Sequence, residues 1–216
     1  MVDDQKALLR DGLEKLKLDL TTRQEEQLKD FLQSVLSENK KFNLTGIKIP
    51  KEAIIKHLFD SLSMASEINA RSIADVGSGA GFPGIPLAIV KPDTDFILIE
   101  AKQKKAKFIE DAAKELALLN VVVFGKRSEE VKVKKKVEAI LCRALGSLDY
   151  FVEKTKHLLA EGGSLYAMKG KLPDDEIKKL PKNWVVAQIK KIDVPYLDAE
   201  RHIITITKGT IKSLKP

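Results

Sequence analysis

Between Lys6 and Lys40 apolar residues recur at helical spacing, first Leu9, Leu13 and Leu16, then Leu28, Phe31, Leu32, Val35 and Leu36. Each set makes an apolar stripe that a helix turns toward a core, so two helices are predicted. Thr22 followed by Glu25 reads as a capping box for the second, hydroxyl and carboxylate each satisfying an orphan backbone N–H. Pro50 opens a third helix, predicted over 51–67.

Beyond this helical leader the period changes. Short β-branched or aliphatic runs at 72–76, 96–100, 121–124, 137–142, 164–168, 184–190 and 203–207 read as strands. Helices are expected in the first five gaps, including one that ends at Glu161-Gly162-Gly163 as a C-cap. The last two runs are joined by a loop containing Pro195, with no room for a crossover helix, so they should form an antiparallel hairpin. The expected fold is α/β: a seven-stranded, Rossmann-like sheet with helices on both faces. Residues 1–67 would be a helical extension packed on the core, and 68–216 the main domain.

Composition narrows the field. With 44% hydrophobic and 32% charged residues the chain is globular, and a net charge of +7 with a pI near 9.3 raises the weight of an anionic partner. The lysine-rich runs at 102–107 and 132–136 read as solvated surface. A single cysteine, Cys142, excludes an internal disulfide, and three scattered histidines make no ligand cluster, so no metal is expected. No apolar run reaches the roughly 18 residues of a membrane helix, and the start lacks a signal-peptide core; a cytoplasmic, membrane-free protein is expected.

The most informative segment runs from Ile73 to Leu87: a strand, a glycine-rich turn, then an apolar helix. Gly77, Gly79 and Gly81 let the backbone turn sharply and approach a ligand that a Cβ would block. Gly79 to Gly84 is a literal GxGxxG, which would suit a nicotinamide dinucleotide. Position argues against that reading, because in a dinucleotide fold the first glycine sits at the strand end, and here that place belongs to Gly77. The motif becomes GxGxG, the form used for S-adenosyl-L-methionine. Glu100, about 20 residues on and at the end of the next strand, is placed to receive ribose hydroxyls. Ser128 and Glu129 after the third strand offer polar groups for an adenine edge, although they also suit a helix N-cap.

The fourth strand ends Leu141-Cys142-Arg143, with no Asn/Asp-Pro-Pro motif of the kind many amino-methylating enzymes carry. An exocyclic amine must shed a proton, whereas guanine N7 already presents a lone pair and needs positioning more than a base. Arg143 is a strand-end fork suited to guanine O6 and N7 or to a carboxylate, and Cys142 reads as buried filler. Lys169 should lie near the same edge, and His57 reads as a hydrogen-bonded residue at the rim of the core.

These residues carry a resemblance. Asn39-Lys-Lys-Phe-Asn-Leu-Thr45, Lys56-His-Leu-Phe-Asp-Ser-Leu62, Asp75 to Pro86, Ala167-Met-Lys-Gly170 and Leu197-Asp-Ala-Glu-Arg-His202 are similar to the bacterial glucose-inhibited division protein B family, guanine-N7 methyltransferases of small-subunit ribosomal RNA. The resemblance implies that S-adenosyl-L-methionine is held by Gly77, Gly79, Gly81 and Phe82, by Glu100, Ala101 and Lys102, and by Ser128 and Glu129. It implies that Arg143 borders both cofactor and guanine and serves catalysis, and that Asn43, Thr45, His57, Asp60, Lys169, Arg201 and His202 face the RNA. Small-subunit ribosomal RNA, or the assembling subunit, is the implied partner, and a monomer the expected state. The likeness departs beside Arg143, where Cys142 stands in place of the usual serine.

Overall fold

In the computed structural model, which describes residues 2–143 and 145–209, seven strands form one sheet in the order β3-β2-β1-β4-β5-β7-β6. They are β1 (Ser72–Val76), β2 (Asp95–Ile99), β3 (Val121–Phe124), β4 (Val137–Arg143), β5 (Leu159–Lys169), β6 (Trp184–Lys191) and β7 (His202–Lys208). The first five run parallel, and β7 is antiparallel to both β5 and β6, so the expected terminal hairpin is present.

Alternation along the strands builds two cores. Ile73 and Leu141 point to one face, Ala74, Ile140 and Cys142 to the other, as a period of two requires. The first face receives α1 (Asp3–Lys15), α2 (Thr22–Glu38), α5 (Gly84–Val90) and α6 (Gln103–Glu115), whose Leu13, Phe31, Ile85 and Ile109 join one cluster. The second receives α7 (Leu148–Thr155), with Phe151 and Val152 buried. The chain winds outward from β1 to β3, then returns to β4, so the order reverses between β1 and β4. Ligands of such sheets bind in the crevice outside the strand ends at this reversal.

Local expectations are corrected in five places. The cap of α2 is Thr21 with Gln24, one residue earlier than Thr22 with Glu25; Glu25 lies 3.6 Å from Lys29 instead. The third helix is broken into α3 (Pro50–Ala53), a π-helical stretch (Ile54–Phe59) and α4 (Asp60–Leu62), then turns. Within this stretch the Lys56 carbonyl accepts from Arg143 at 3.2 Å. Between β3 and β4 only a 3₁₀ turn (Ser128–Glu130) forms, because Val131 and Val133 sit among lysines without a helical period. Gly162 and Gly163 lie inside β5, not at a helix end: Gly162 has φ +76°, the register with β4 slips here, and a Cβ on Gly163 would come within 2.7 Å of the Glu138 carbonyl. The helix between β5 and β6, α8 (Asp174–Ile177), is a single turn.

Candidate active site

The parallel register aligns the ends of β3, β2, β1 and β4, bringing Gly77, Glu100 and Arg143 to one edge. Gly77, Gly79 and Gly81 have φ of +77°, +60° and +93°, a region that L side chains rarely occupy. The turn is braced on its neighbour: the N–H groups of Gly77 and Ser78 donate to the Ile99 carbonyl at 2.8 and 3.2 Å. Glu100 Oε2 accepts the Gly79 N–H at 2.9 Å, and Oε1 accepts the Lys102 N–H at 2.8 Å. Each oxygen keeps acceptor capacity for a hydroxyl. A Cβ on Gly79 would meet nothing nearer than the Gly77 carbonyl at 3.9 Å, so space is open there, whereas a Cβ on Gly77 would meet Leu145 and one on Gly81 would meet Phe31 and Ile85, each at 3.0 Å. An open backbone cradle beside a carboxylate is what a ribose-bearing ligand requires, and these residues fit one.

Beneath the turn Asp75 is fully buried. Its Oδ2 accepts the Gly84 N–H at 2.9 Å, Oδ1 has no partner, and burial pushes its pKa up to about 6. Phe82 is buried too, its ring 5.0 Å from that of Phe31 and stacked on His57 at 4.6 Å. Its side chain supports the turn and leaves only backbone for a ligand. Ala101 and Lys102 are exposed on the rim. Ser128 is buried with its hydroxyl on Glu129 at 3.0 Å, and Glu129 pairs with Lys154 at 2.7 Å, which holds its carboxyl down at about 2.

Across Phe82 lies a cavity of about 1010 Å³ lined by His57, Asp60, Arg143, Lys169 and Arg201, at the upper end of the roughly 300–1,000 Å³ of small-molecule sites. Asp60, nearly buried, is its hub: Oδ1 accepts from Arg201 Nε at 2.7 Å and Oδ2 from Arg143 Nη1 at 3.0 Å. Arg143 Nη2 lies 3.2 Å from His57 Nδ1. A guanidinium only donates, so Nδ1 accepts, and the ring proton sits on Nε2, which donates to Thr45 Oγ1 at 2.6 Å. Burial, then the Arg143 charge, pushes the His57 pKa down to about 3, so the ring is neutral. Asp60 and His57 therefore position the arginines. Lys169 Nζ donates to Glu176 and to the Gly146 carbonyl, both at 2.7 Å, and His202 Nδ1 to the Gly170 carbonyl at 2.8 Å.

Thus His57, Asp60, Arg143, Lys169 and Arg201 line one cavity, while Thr45 and His202 do not line it: Thr45 backs His57 and His202 is bonded to the Gly170 carbonyl. Asn43 does not line this cavity; it is exposed in a separate depression beside Lys40 and Lys48. Cys142 is buried and burial raises its thiol pKa, as filler requires. Ile47, Ile49, Lys51, Tyr196 and Asp198 also line the cavity and were not assigned from the sequence. Their only signal was adjacency to the Asn-Leu-Thr and Glu-Arg-His segments. Among the described residues no helix is long and apolar enough to cross a membrane.

The sheet order and the glycine turn at its carboxyl edge define the S-adenosylmethionine-dependent methyltransferase class. The fold is shared with such a methyltransferase from Aquifex aeolicus, at TM-score 0.57 and 17% identity over 79% of this chain and 97% of that one. It is shared also with one from Thiobacillus denitrificans solved with S-adenosyl-L-homocysteine, at TM-score 0.50 and 14% identity over 69% and 90%. The sequence model of the GidB family, rRNA small subunit methyltransferase G, matches residues 24–204, and the chain belongs to that family. Curated relatives named ribosomal RNA small subunit methyltransferase G include one from Azoarcus sp. (strain BH72), 44% identical over 93% of this chain and 95% of that one. Another, from Idiomarina loihiensis, is 36% identical over 94% and 98%.

Proposed function

We propose that this protein methylates N7 of one guanine in small-subunit ribosomal RNA, with S-adenosyl-L-methionine as donor. The observation that carries the reading is the junction at Phe82 of an open glycine cradle with an arginine-lined cavity. When bound, the donor supplies a methyl group on a sulfonium; its S–C bond breaks as the C–N7 bond forms, and the base gains the positive charge. Glu100 accepts ribose hydroxyls, and the turn from Gly77 to Gly81 lets the donor approach the backbone. The forks of Arg143 and Arg201 orient the guanine from its O6 side. Their pairing with Asp60 keeps them from opposing the charge that grows on the base. No side chain needs to remove a proton, which agrees with a His57 already neutral and committed to Thr45 and Arg143.

The base must leave its stack to enter, while lysines hold flanking phosphates. The same reading takes residues 1–67 as a helical extension of the domain that follows, one whose His57 and Asp60 complete the cavity. It carries a monomer without metal, working in the cytoplasm on RNA or on an assembling subunit.

The test is transfer of labelled methyl to unmodified small-subunit RNA, with the product mapped. The expected result is 7-methylguanine at a single position, with a yield that falls steeply as salt is raised. Label on an exocyclic amine, or none in RNA, would overturn the reading.

A further inference from the structure

Tyr196 stands on the β6–β7 loop at the rim of the cavity, in an unusual state. Its φ is +63°, a left-handed conformation costly for a residue with a side chain and most often retained where function requires it. Its phenol is fixed by a helix from the other end of the chain. The hydroxyl donates to Asp11 of α1 and accepts from Lys15 Nζ at 3.1 Å, and that ammonium lies 4.8 Å from the ring centroid. The Phe59 ring lies 6.3 Å away, tilted by 33°. Despite these contacts 49% of the residue is exposed.

Of the described residues lining the cavity only His57 and Tyr196 carry a ring of π character, and His57 is buried and stacked on Phe82. Tyr196 is therefore the one exposed aromatic surface among the described lining residues, in a wall otherwise mainly aliphatic and charged. Unstacked bases are received by proteins on such aromatic faces. We propose that Tyr196 is a base-stacking residue for the RNA, its exposed ring surface meeting the extruded guanine or the base beside it. This rests on the RNA-methylation reading and names a specificity element within it.

The experiment measures KM and kcat for unmodified small-subunit RNA, together with S-adenosyl-L-homocysteine affinity, in the wild type and in Tyr196→Phe, Tyr196→Trp and Tyr196→Leu. Leucine keeps apolar bulk and removes the π face, so it tests stacking without emptying the site. Stacking predicts that Tyr196→Leu raises KM about tenfold, with kcat and S-adenosyl-L-homocysteine affinity unchanged, while Tyr196→Phe and Tyr196→Trp stay within about threefold of wild type. If phenylalanine fails as badly as leucine, the phenol only tethers the loop and the proposal is wrong; equal KM for all four proteins overturns it as well. Should the wild type itself leave RNA unlabelled, the fault lies with the methylation reading and not with Tyr196.

Discussion

From Gly77 to Gly81 the groups offered to a ligand are backbone ones, set by three positive φ angles and by one carboxylate that holds the Gly79 and Lys102 N–H groups. Across Phe82 the offer comes from side chains that begin far apart in the chain. His57 and Asp60 come from the helical segment before β1, Arg143 from β4, Lys169 from β5 and Arg201 from the edge of β7. The cradle depends on chain geometry, the cavity on one nearly buried aspartate that balances two arginines. A cradle of this kind suits a ligand common to many enzymes of one fold, whereas a side-chain cluster can be retuned for one base. The contrast separates cofactor binding from substrate choice.

The strongest way to break the contrast is Gly77→Asp. A side chain at φ +77° is strained, its Cβ would come within 3.0 Å of Leu145, and it would set a negative charge into the turn. Calorimetry should show S-adenosyl-L-homocysteine affinity falling by on the order of a hundredfold; an unchanged affinity would remove the cradle from the cofactor site. Asp60→Asn comes next. It leaves two arginines without their shared counter-charge, and loss of one partner of a buried pair costs about 3–5 kcal/mol. Thermal or urea unfolding should register that loss, and methyl transfer should fall with it.

Acid titration separates the two regions more gently. His57 has a folded pKa of about 3 against an ordinary 6.5, so below 6.5 the unfolded chain binds the extra proton and stability is lost as pH falls toward 3. Asp75 has the opposite sign: its pKa is raised from 3.8 to about 6, so it contributes stability that is lost as pH rises through that window. Each slope is about 1.4 kcal/mol per pH unit at most, so between pH 4 and 6 they largely cancel. His57→Gln should make unfolding free energy rise on acidification relative to wild type, and Asp75→Asn should make it fall. Parallel profiles for the three proteins would contradict both assignments.

How much of this could be read from sequence follows from the same contrast. The strands and the glycine turn were legible because period-two alternation and glycines needing positive φ are local properties; β1 and β3 have the predicted bounds. Thr21 replaced Thr22 as cap because adjacent threonines offer the same chemistry and only the chain's entry angle chooses between them. The break at Ile54–Phe59 leaves no mark in an apolar helical pattern. Arg143 and Asp60 were each singled out, but their ion pair joins residues 83 positions apart, and no spacing rule reaches that far. Tyr196 went unassigned because a lone tyrosine beside a proline reads as loop until a helix from the other end of the chain is seen to hold it.

The most direct test is S-adenosyl-L-homocysteine affinity measured on Arg201→Ala, alongside its yield of 7-methylguanine in RNA. Arg201 touches Asp60 but not the glycine turn. The account predicts affinity within about threefold of wild type while methyl transfer drops on the order of a hundredfold, the span of one charge-assisted hydrogen bond to the guanine O6. Affinity and transfer falling together would contradict it, because cradle and cavity would then be a single site.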